Sequence, residues 1–290
     1  MPWPPLSASR APAHRAGGCP RCTEPRRRTG AACCGLDAGV ARRGRGVVFS
    51  AAGGAEFARR EVERLFGRTP LVFTDLDQVL ARDDILAVDG GTDGSTHHSV
   101  AIPALLAGKH ALVEKPMAPS VTDGEALVAA CRKADVRLGV AYHMHWHQGH
   151  RTLADRVHCG DFGEIRYARA QWTFQAPDSG NWRAHDEVGR WWSLAGVGTH
   201  SLDWLRWMMV PVCGEVVDVT STVTRNILGS HHDESAAVGL QFESGALAQF
   251  VSSALFTAPI RGVICGSNVY AYCDQSIGRG GCGHIHTHDG

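Results

Sequence analysis

Lysine is scarce in this sequence of 290 residues: only Lys109, Lys115 and Lys133 carry an ammonium side chain. Arginine supplies the other basic groups, and Lys+Arg and Asp+Glu are both 29, so the formal net charge is zero. This balance gives no global attraction to nucleic acid or anionic lipid, and we expect neither as a partner. No stretch approaches the roughly 18 consecutive apolar residues of a membrane span, which argues against an integral membrane protein.

The composition is that of a globular protein, with 44% hydrophobic and 20% charged residues, and the length predicts about two domains. The ten cysteines lie in a chain too long to need disulfide staples, which favours a reduced, cytoplasmic setting. Cys19 and Cys22, followed by the adjacent Cys33 and Cys34, look like a metal clip. Adjacent cysteines fit zinc-ligand spacing poorly, so no metal is predicted.

Residues 1–45 differ from the rest of the chain. They contain six prolines and nine arginines but no lysine, and they show almost no periodic apolar pattern. This composition predicts an atypical, poorly ordered N-terminal arm. The run Arg26-Arg27-Arg28 is followed by a segment with Asp37 and several glycines, which is a poor apolar region for a twin-arginine export signal. We interpret the arm as a non-native N-terminus.

Residues 46–142 alternate between short apolar runs and helical periodicity, which predicts an α/β domain with a Rossmann-like parallel sheet. A helix ending at Gly108 and a capping box at Thr122–Glu125 are expected within it. Because ligands bind beyond the carboxyl ends of such strands, Thr92, Glu114-Lys115 and His143 should converge on one crevice. The predicted strands are 47–49, 71–73, 85–88, 111–113 and 138–142.

Residues 143–290 show a different pattern and predict an α+β domain on an open, mostly antiparallel sheet. One strong helix is expected at Thr199–Met209. An open sheet face of this kind can receive a partner subunit, so we expect a homo-oligomer. The predicted strands are 165–174, 216–224, 235–242, 246–254 and 262–272.

Two other motifs suggest sites that we do not adopt. A Gly-x-Gly-x-x-Gly pattern at Gly278, Gly280 and Gly283 is followed by alternating histidines rather than a helix, so these glycines are read as turn residues. The segment from His143 to His150 also alternates histidine with other residues, but no nearby carboxylate completes a metal-ligand set.

The most informative segment is Ala107–Pro116, which reads AGKHALVEKP. Together with Gly198–Asp203 it resembles the Gfo/Idh/MocA family of NAD(P)-dependent sugar and cyclitol oxidoreductases. The resemblance runs from about residue 46 to the end. It also includes the segments Thr92 with Gly94 and His97, Gly160–Ile165, Trp182-Arg183, and Asp233-Glu234-Ser235 with Gly245.

The resemblance implies a dinucleotide-binding domain followed by a substrate domain. Hydride would pass to or from a ring hydroxyl of a sugar, cyclitol or related polyol. Lys115, before a cis proline, and His200 would be catalytic, because an ammonium can stabilise an alkoxide and an imidazole can exchange its proton. The cofactor residues would be Ser50, Thr92, Gly94, His97, Glu114, Lys115, Pro116 and His143. The substrate residues would be His145, Trp182, Arg183, Thr199 and Asp203.

Three features of this chain separate it from the family pattern. Where the family has an aspartate four residues before the histidine, this chain has Gly196, and no glycine-rich loop precedes Val47. The third feature is the expected truncation of the C-terminus, because the family usually continues well past the position of Gly290. The cofactor is expected to be NAD or NADP, and the lack of an acid at Phe49-Ser50, which would bind the ribose 2′-hydroxyl, favours NADP. These departures leave two alternatives: a non-catalytic nucleotide- or sugar-binding regulator, and a defective product unable to bind cofactor.

Overall fold

A computed structural model describes residues 47–49, 55–67, 69–185, 189–278 and 283–289. The predicted N-terminal arm, with its cysteine pairs and its arginine run, lies outside the described residues. So does Ser50, the position expected to bear on the choice between NAD and NADP. The fold follows the sequence pattern, with parallel strands first and a mostly antiparallel sheet after them.

The first half of the chain alternates strand and helix, as predicted. Its parallel strands are short, and the helices between them place the carboxyl ends of the strands at one edge. The elements are β1 (Val47–Phe49), α1 (Ala55–Phe66), β2 (Leu71–Phe73), α2 (Leu76–Leu80), β3 (Ala87–Gly90), α3 (His97–Leu106), β4 (His110–Val113), α4 (Val121–Lys133) and β5 (Leu138–Val140).

These five strands form two separate pieces of parallel sheet, β1–β2 and β3–β4–β5. In the usual doubly wound order 3-2-1-4-5-6 they correspond to strands two to six. No strand among the described residues joins β1 to β3, where the first strand would lie. Several apolar side chains in this region are exposed, which is unusual for a parallel sheet covered on both faces. They are Leu65, Phe66, Leu71, Val72 and Leu86.

Side-chain caps fix the helix starts near the strand ends. The Asp75 side chain accepts from the Asp77 backbone N–H and caps α2. The predicted cap of α4 at Thr122 is wrong, because Ser120 holds that place. The Ser120 backbone is extended and its Oγ accepts from the Asp123 N–H at 3.1 Å, so the helix begins one residue later at Val121.

The second half is built on a seven-stranded sheet. The elements are α5 (Gln148–His158), β6 (Ile165–Thr173), α6 (Thr199–Cys213), β7 (Val216–Thr224), β8 (Ser235–Phe242), β9 (Leu247–Ser253), β10 (Arg261–Gly266), β11 (Val269–Asp274) and β12 (His284–Asp289). The strand order is β12-β11-β10-β6-β9-β8-β7, and all neighbouring pairs are antiparallel except β6 and β9.

One predicted strand of this sheet is wrong, because residues 262–272 form two strands, β10 and β11, rather than one. The chain reverses at Ser267-Asn268, whose backbone N–H groups donate to the carbonyls of Glu164 and Phe162. A Cβ at Gly266 would overlap the Phe162 carbonyl, so this close approach requires glycine. Apolar alternation continues through the turn, and the sequence pattern therefore hides it.

The core of this half lies between one sheet face and α6. Trp204, Leu205, Met208 and Met209 of the helix are fully buried against inward-facing residues of the sheet such as Phe250. The opposite sheet face is more exposed, as at Leu247 and Tyr270. None of the helices in the described part of the chain is both long and apolar enough to cross a membrane.

Candidate functional site

A cavity of about 1050 Å³ lies where the two halves meet. One wall is formed by the segments that follow β3 and β4, and the other by residues 182–202, before and within the start of α6. Eight of the predicted site residues line the cavity: Thr92, Gly94, Glu114, Lys115, Pro116, Trp182, Arg183 and Thr199. Both halves of the chain therefore contribute predicted site residues to the lining of this cavity.

Lys115 connects the two walls. It follows β4 and precedes a cis peptide bond to Pro116, as the resemblance implies. Its Nζ donates to the carbonyl oxygens of Gly196 at 2.7 Å and of Ala195 at 3.2 Å. Both carbonyls belong to a π-helical turn, Leu194–Gly198, which runs directly into α6. The ammonium therefore lies in the cavity, bound to backbone groups of the second half.

The ends of β3 and β4 are tied together by His97. This imidazole is completely buried and does not line the cavity. Its Nε2 lies 3.1 Å from the Thr92 carbonyl oxygen, and its Nδ1 lies 3.0 Å from that of Pro116. The structure therefore places His97 beneath the predicted cofactor segments, where it fixes their relative position.

Two carboxylates at and beyond the end of β3 have shifted pKa values. Hydrogen bonds from Ser95 lower the pKa of Asp93, so this carboxylate stays charged beside the cavity. Burial raises the pKa of Asp89 on β3, and the negative charge of Glu114 adds to that shift. The wall thus keeps a charged carboxylate at Asp93, close to the end of β3.

His200 lies next to the cavity without lining it in the described structure. It is the second residue of α6, its neighbour Thr199 lines the cavity, and its own side chain is buried. The imidazole stacks on Trp172, with ring centroids 5.0 Å apart, and meets the His143 ring edge-on at 4.9 Å. Lys115 therefore contacts the Leu194–Gly198 turn, and His200 follows this turn by two residues along the chain.

Behind that turn, two hydroxyl groups form a pair. The Tyr142 hydroxyl lies 2.7 Å from Thr199 Oγ1, and the Tyr142 ring meets His200 edge-on at 5.8 Å. Burial raises the pKa of Tyr142, so the phenol stays protonated. Tyr142 was not among the predicted site residues, although it ends the segment predicted as the fifth strand.

Three predicted site residues lie together but away from the cavity lining of the described structure. His145 Nε2 is 2.8 Å from Asp203 Oδ2, and the His145 ring stacks on Trp207 at 4.1 Å. His143 Nε2 contacts the Gly278 carbonyl at 3.2 Å. These side chains are placed to support the start of α6.

The mouth of the cavity is aromatic. Trp182 and Trp191 line it with 45% and 44% of their surface exposed, whereas Trp192 is fully buried in the core. The Arg183 guanidinium carbon lies 3.8 Å from the ring centroid of Trp182, a cation–π contact. Two exposed indoles beside an arginine form a surface suited to the apolar face of a sugar ring.

Asp233 is one of the residues that carry the family resemblance, but the sequence predicted no role for it. It is completely buried, and its carboxylate accepts hydrogen bonds from the backbone N–H groups of Trp192 and Leu194 and from the Ser193 hydroxyl. These contacts hold the start of the Leu194–Gly198 turn. The partners are about 40 residues away along the chain, so no local pattern indicates them.

The residues present fit the nicotinamide half of a dinucleotide. Gly91 and Gly94 leave the end of β3 open, because a Cβ at either would meet nothing closer than 3.7 Å. Thr92, Glu114 and Lys115 supply polar groups beyond the ends of parallel strands, which is where such sheets bind nucleotides. In this fold the diphosphate-binding loop follows the first strand, which would precede β1, and the residues before β1 lie outside those described. The loop after β1, where the adenosine ribose would be bound, lies outside them too.

Comparison with known protein families agrees with this architecture. A model described as "Oxidoreductase family, NAD-binding Rossmann fold" matches residues 46–142, and one described as "GFO/IDH/MocA C-terminal domain" matches residues 150–271. The chain belongs to the Gfo/Idh/MocA oxidoreductase family. The family membership and the fold class expected from the sequence are thereby confirmed.

Relatives within the Gfo/Idh/MocA family carry sugar-related names. A 1,5-anhydro-D-fructose reductase of Ensifer adhaerens is 28% identical over 61% of this chain and 53% of its own length. A D-apiose dehydrogenase of Paraburkholderia graminis is 27% identical over 60% of this chain and 45% of its own length. The chain thus spans about half the length of these relatives.

Solved structures share the fold. An aldose-aldose oxidoreductase from Caulobacter crescentus, solved with glycerol, superposes with a TM-score of 0.73 at 23% identity, covering 83% of this chain and 71% of the other. A levoglucosan dehydrogenase, solved with NADH and levoglucosan, gives 0.69 at 21% identity, covering 85% and 71%. At these identities the likeness concerns the fold alone.

Proposed function

We propose that the chain is an NAD(P)-dependent oxidoreductase that transfers a hydride to or from a hydroxyl-bearing carbon of a sugar, cyclitol or related polyol. The observation that carries this proposal is the cavity between the halves, with the Lys115 ammonium inside it and exposed indoles at its mouth. The sugar-related names of the relatives support the substrate class.

Lys115 is proposed to act on the substrate oxygen. NAD(P), when bound, supplies the carbon that accepts or releases the hydride. Oxidation of an alcohol also removes a proton from oxygen, and negative charge develops there. The Lys115 ammonium donates to two carbonyls at the cavity wall, and the same group can donate to a substrate hydroxyl and stabilise the alkoxide.

His200 is proposed as the acid/base that exchanges the substrate proton. An imidazole has an unperturbed pKa of about 6.5, suited to proton exchange near neutrality. The Trp172 and His143 rings fix its orientation behind Thr199, whose side chain lines the cavity. The Tyr142 hydroxyl in turn orients Thr199 Oγ1, which can contact the substrate.

The remaining site residues divide between two proposed roles. Thr92, Gly94, Glu114 and Pro116 are proposed to surround the nicotinamide and its ribose, with His97 holding these segments in place. Trp182 and Arg183 are proposed to meet the sugar ring. We also propose that the protein prefers NADP, that it self-associates through the exposed face of the seven-stranded sheet, and that it is cytoplasmic.

A second candidate function is a regulator that binds a nucleotide or sugar without turning it over. Two observations favour it: Gly196 provides no carboxylate beside Lys115, and the imidazole of His200 is buried rather than part of the cavity lining described above. Binding without turnover would separate this candidate from the enzyme.

The test combines binding with turnover. We expect NADH or NADPH fluorescence to titrate with the full chain, and a panel of sugars and cyclitols to give nucleotide reduction. Turnover should be lost in Lys115→Met, while Lys133→Met, an exposed lysine outside the cavity lining, should match the parent protein. Binding without turnover on any substrate would favour the regulator. The absence of binding at millimolar nucleotide would reject the enzyme, and the absence of both nucleotide and sugar binding would reject both functions.

A further inference from the structure

The turn that receives the Lys115 ammonium is held at its other end by a buried carboxylate. Asp233 Oδ1 accepts from the Trp192 N–H at 2.6 Å, and Oδ2 accepts from the Leu194 N–H and the Ser193 hydroxyl, each at 2.6 Å. Asp233 is completely buried, so these three donors replace its hydration. Hydrogen bonds to a charged acceptor of this kind are short and strong.

A second contact holds the same turn against the sheet. The Ser193 hydroxyl, which donates to Asp233, also lies 3.1 Å from the Ser252 hydroxyl of β9. A Cβ at Gly198 would come within 3.1 Å of the Ser252 side chain, so the turn packs closely on this strand. The backbone from Trp192 to Gly198 therefore has little freedom to move.

The opposite end of this short segment binds Lys115. Only one residue separates Leu194, whose N–H donates to Asp233, from Gly196, whose carbonyl accepts from Lys115 Nζ at 2.7 Å. The Gly196 N–H donates to the Trp192 carbonyl oxygen at 2.8 Å, and because a peptide group is planar this bond sets the direction of the Ala195 carbonyl in the same peptide. The position of Asp233 is thereby transmitted to the two carbonyls that hold the ammonium.

We propose that Asp233 is a positioning residue for Lys115, acting through the Leu194–Gly198 turn. It fixes the Ala195 and Gly196 carbonyls in the directions that receive the ammonium. Because residue 196 is glycine, it provides a carbonyl but no side-chain carboxylate for this ammonium. The importance of this role for turnover rests on the proposed function, in which Lys115 binds the substrate oxygen. The contact geometry itself does not depend on turnover.

The neighbouring residue provides a matched control. Glu234 is also completely buried, and its carboxylate accepts from three backbone N–H groups. These belong to Ile227, Leu228 and Ser230, in the connection between β7 and β8, away from the turn. Asp233→Asn and Glu234→Gln therefore remove comparable buried charges, but only Asp233→Asn touches the segment bound to Lys115.

The scarcity of lysine makes Lys115 directly observable. Protein labelled with ¹³C only in lysine gives side-chain Cε signals from Lys109, Lys115 and Lys133 alone. The signal that disappears in Lys115→Arg is that of Lys115. In Asp233→Asn we expect the Lys115 signal to move toward that of the exposed Lys133. In Glu234→Gln it should stay at the position seen in the parent protein.

Ser193→Ala keeps the test decisive if Asp233→Asn does not fold by circular dichroism. This variant removes one donor and leaves the carboxylate, so a smaller displacement of the Lys115 signal in the same direction is expected. An unmoved Lys115 signal in every folded variant of Asp233 and Ser193, or an equal displacement in Glu234→Gln, would overturn the proposal. Since the measurement needs neither nucleotide nor substrate, a chain without turnover would reject the proposed function and leave this inference intact.

Discussion

The Lys115 ammonium donates to the Gly196 carbonyl oxygen at 2.7 Å, across the boundary between the two halves of the chain. Position 196 thus offers Lys115 a neutral peptide carbonyl, whereas the resemblance to the family leads one to expect a side-chain carboxylate at this position. The ammonium is held, but its charge is not balanced by a side chain at position 196. This difference has a measurable consequence.

Gly196→Asp is expected to increase turnover. A Cβ at Gly196 would meet only the Arg183 Cδ, at 4.0 Å, so the side chain can enter without displacing backbone. The new carboxylate would lie near Arg183, on the residue whose backbone carbonyl binds Lys115, and could help orient the proton-transfer groups. We expect kcat/KM on an accepted polyol to rise about tenfold or more, measured by nucleotide reduction.

The matched controls are Gly196→Ala and Gly196→Asn, which add bulk without charge. Both should fold like the parent protein and leave kcat/KM within about threefold. A gain seen equally with asparagine would assign the effect to packing rather than charge. A loss of activity in Gly196→Asp would show that the carbonyl arrangement around Lys115 is already the functional one.

Lys109 is predicted to stabilise the fold rather than act in the site. It is buried, and its Nζ donates to the carbonyl oxygens of Arg82 at 2.7 Å and Ile85 at 3.0 Å. Lys109→Met removes both bonds from a charged donor and should lower the free energy of unfolding by about 2 kcal/mol, measured by urea denaturation. Lys133→Met, at an exposed position, should change it by less than about 0.5 kcal/mol; equal effects would contradict this role.

The parts of the fold that the sequence predicts are those encoded by local patterns. β2, β7 and β8 have the predicted bounds because their apolar runs end at turn residues. The segment Ala107–Pro116 places Lys115 at a strand end, and because the carboxyl ends of parallel strands share one edge, Lys115 lines the same cavity as the residues that follow β3. Local patterning and topology together account for these successes.

What the sequence could not predict depends on contacts between distant residues. Asp233 reaches Leu194 across 39 positions, and His97 reaches Pro116 across 19, so neither contact leaves a periodic signal. The burial of the His200 side chain, at the start of α6, also depends on its packing against Trp172, which lies on β6. Such features follow from tertiary packing, which overrides local preference.

His97 supplies a prediction about nucleotide binding. Its ring joins the carbonyls of Thr92 and Pro116, so His97→Ala should loosen the segments that follow β3 and β4. We expect the Kd for NADH or NADPH to rise about tenfold, which corresponds to about 1.4 kcal/mol, in a fluorescence titration. The adjacent His98, on the same helix, serves as control: His98→Ala should leave Kd unchanged, and a similar loss in both would assign the effect to α3 as a whole.

Acid sensitivity should arise at a second buried histidine, His150. Its Nδ1 accepts from Trp204 Nε1 at 3.1 Å, and its Nε2 donates to the Ser276 carbonyl at 3.0 Å, so the neutral imidazole is fully bonded. Burial lowers the pKa of His150 from 6.5 to about 4. Below pH 6.5 the unfolded chain takes up a proton that the folded chain refuses, until the pH reaches about 4.

Stability from this histidine is therefore complete above pH 6.5 and is lost as the pH falls toward 4. The difference between the two pKa values corresponds to about 3 kcal/mol. Urea denaturation between pH 4 and 7 should show this decline in the parent protein, and His150→Gln should flatten it, whatever its stability at neutral pH. Parallel pH profiles for the two proteins would mean that other groups produce the acid sensitivity, and that the Trp204–His150–Ser276 contacts tolerate the imidazolium.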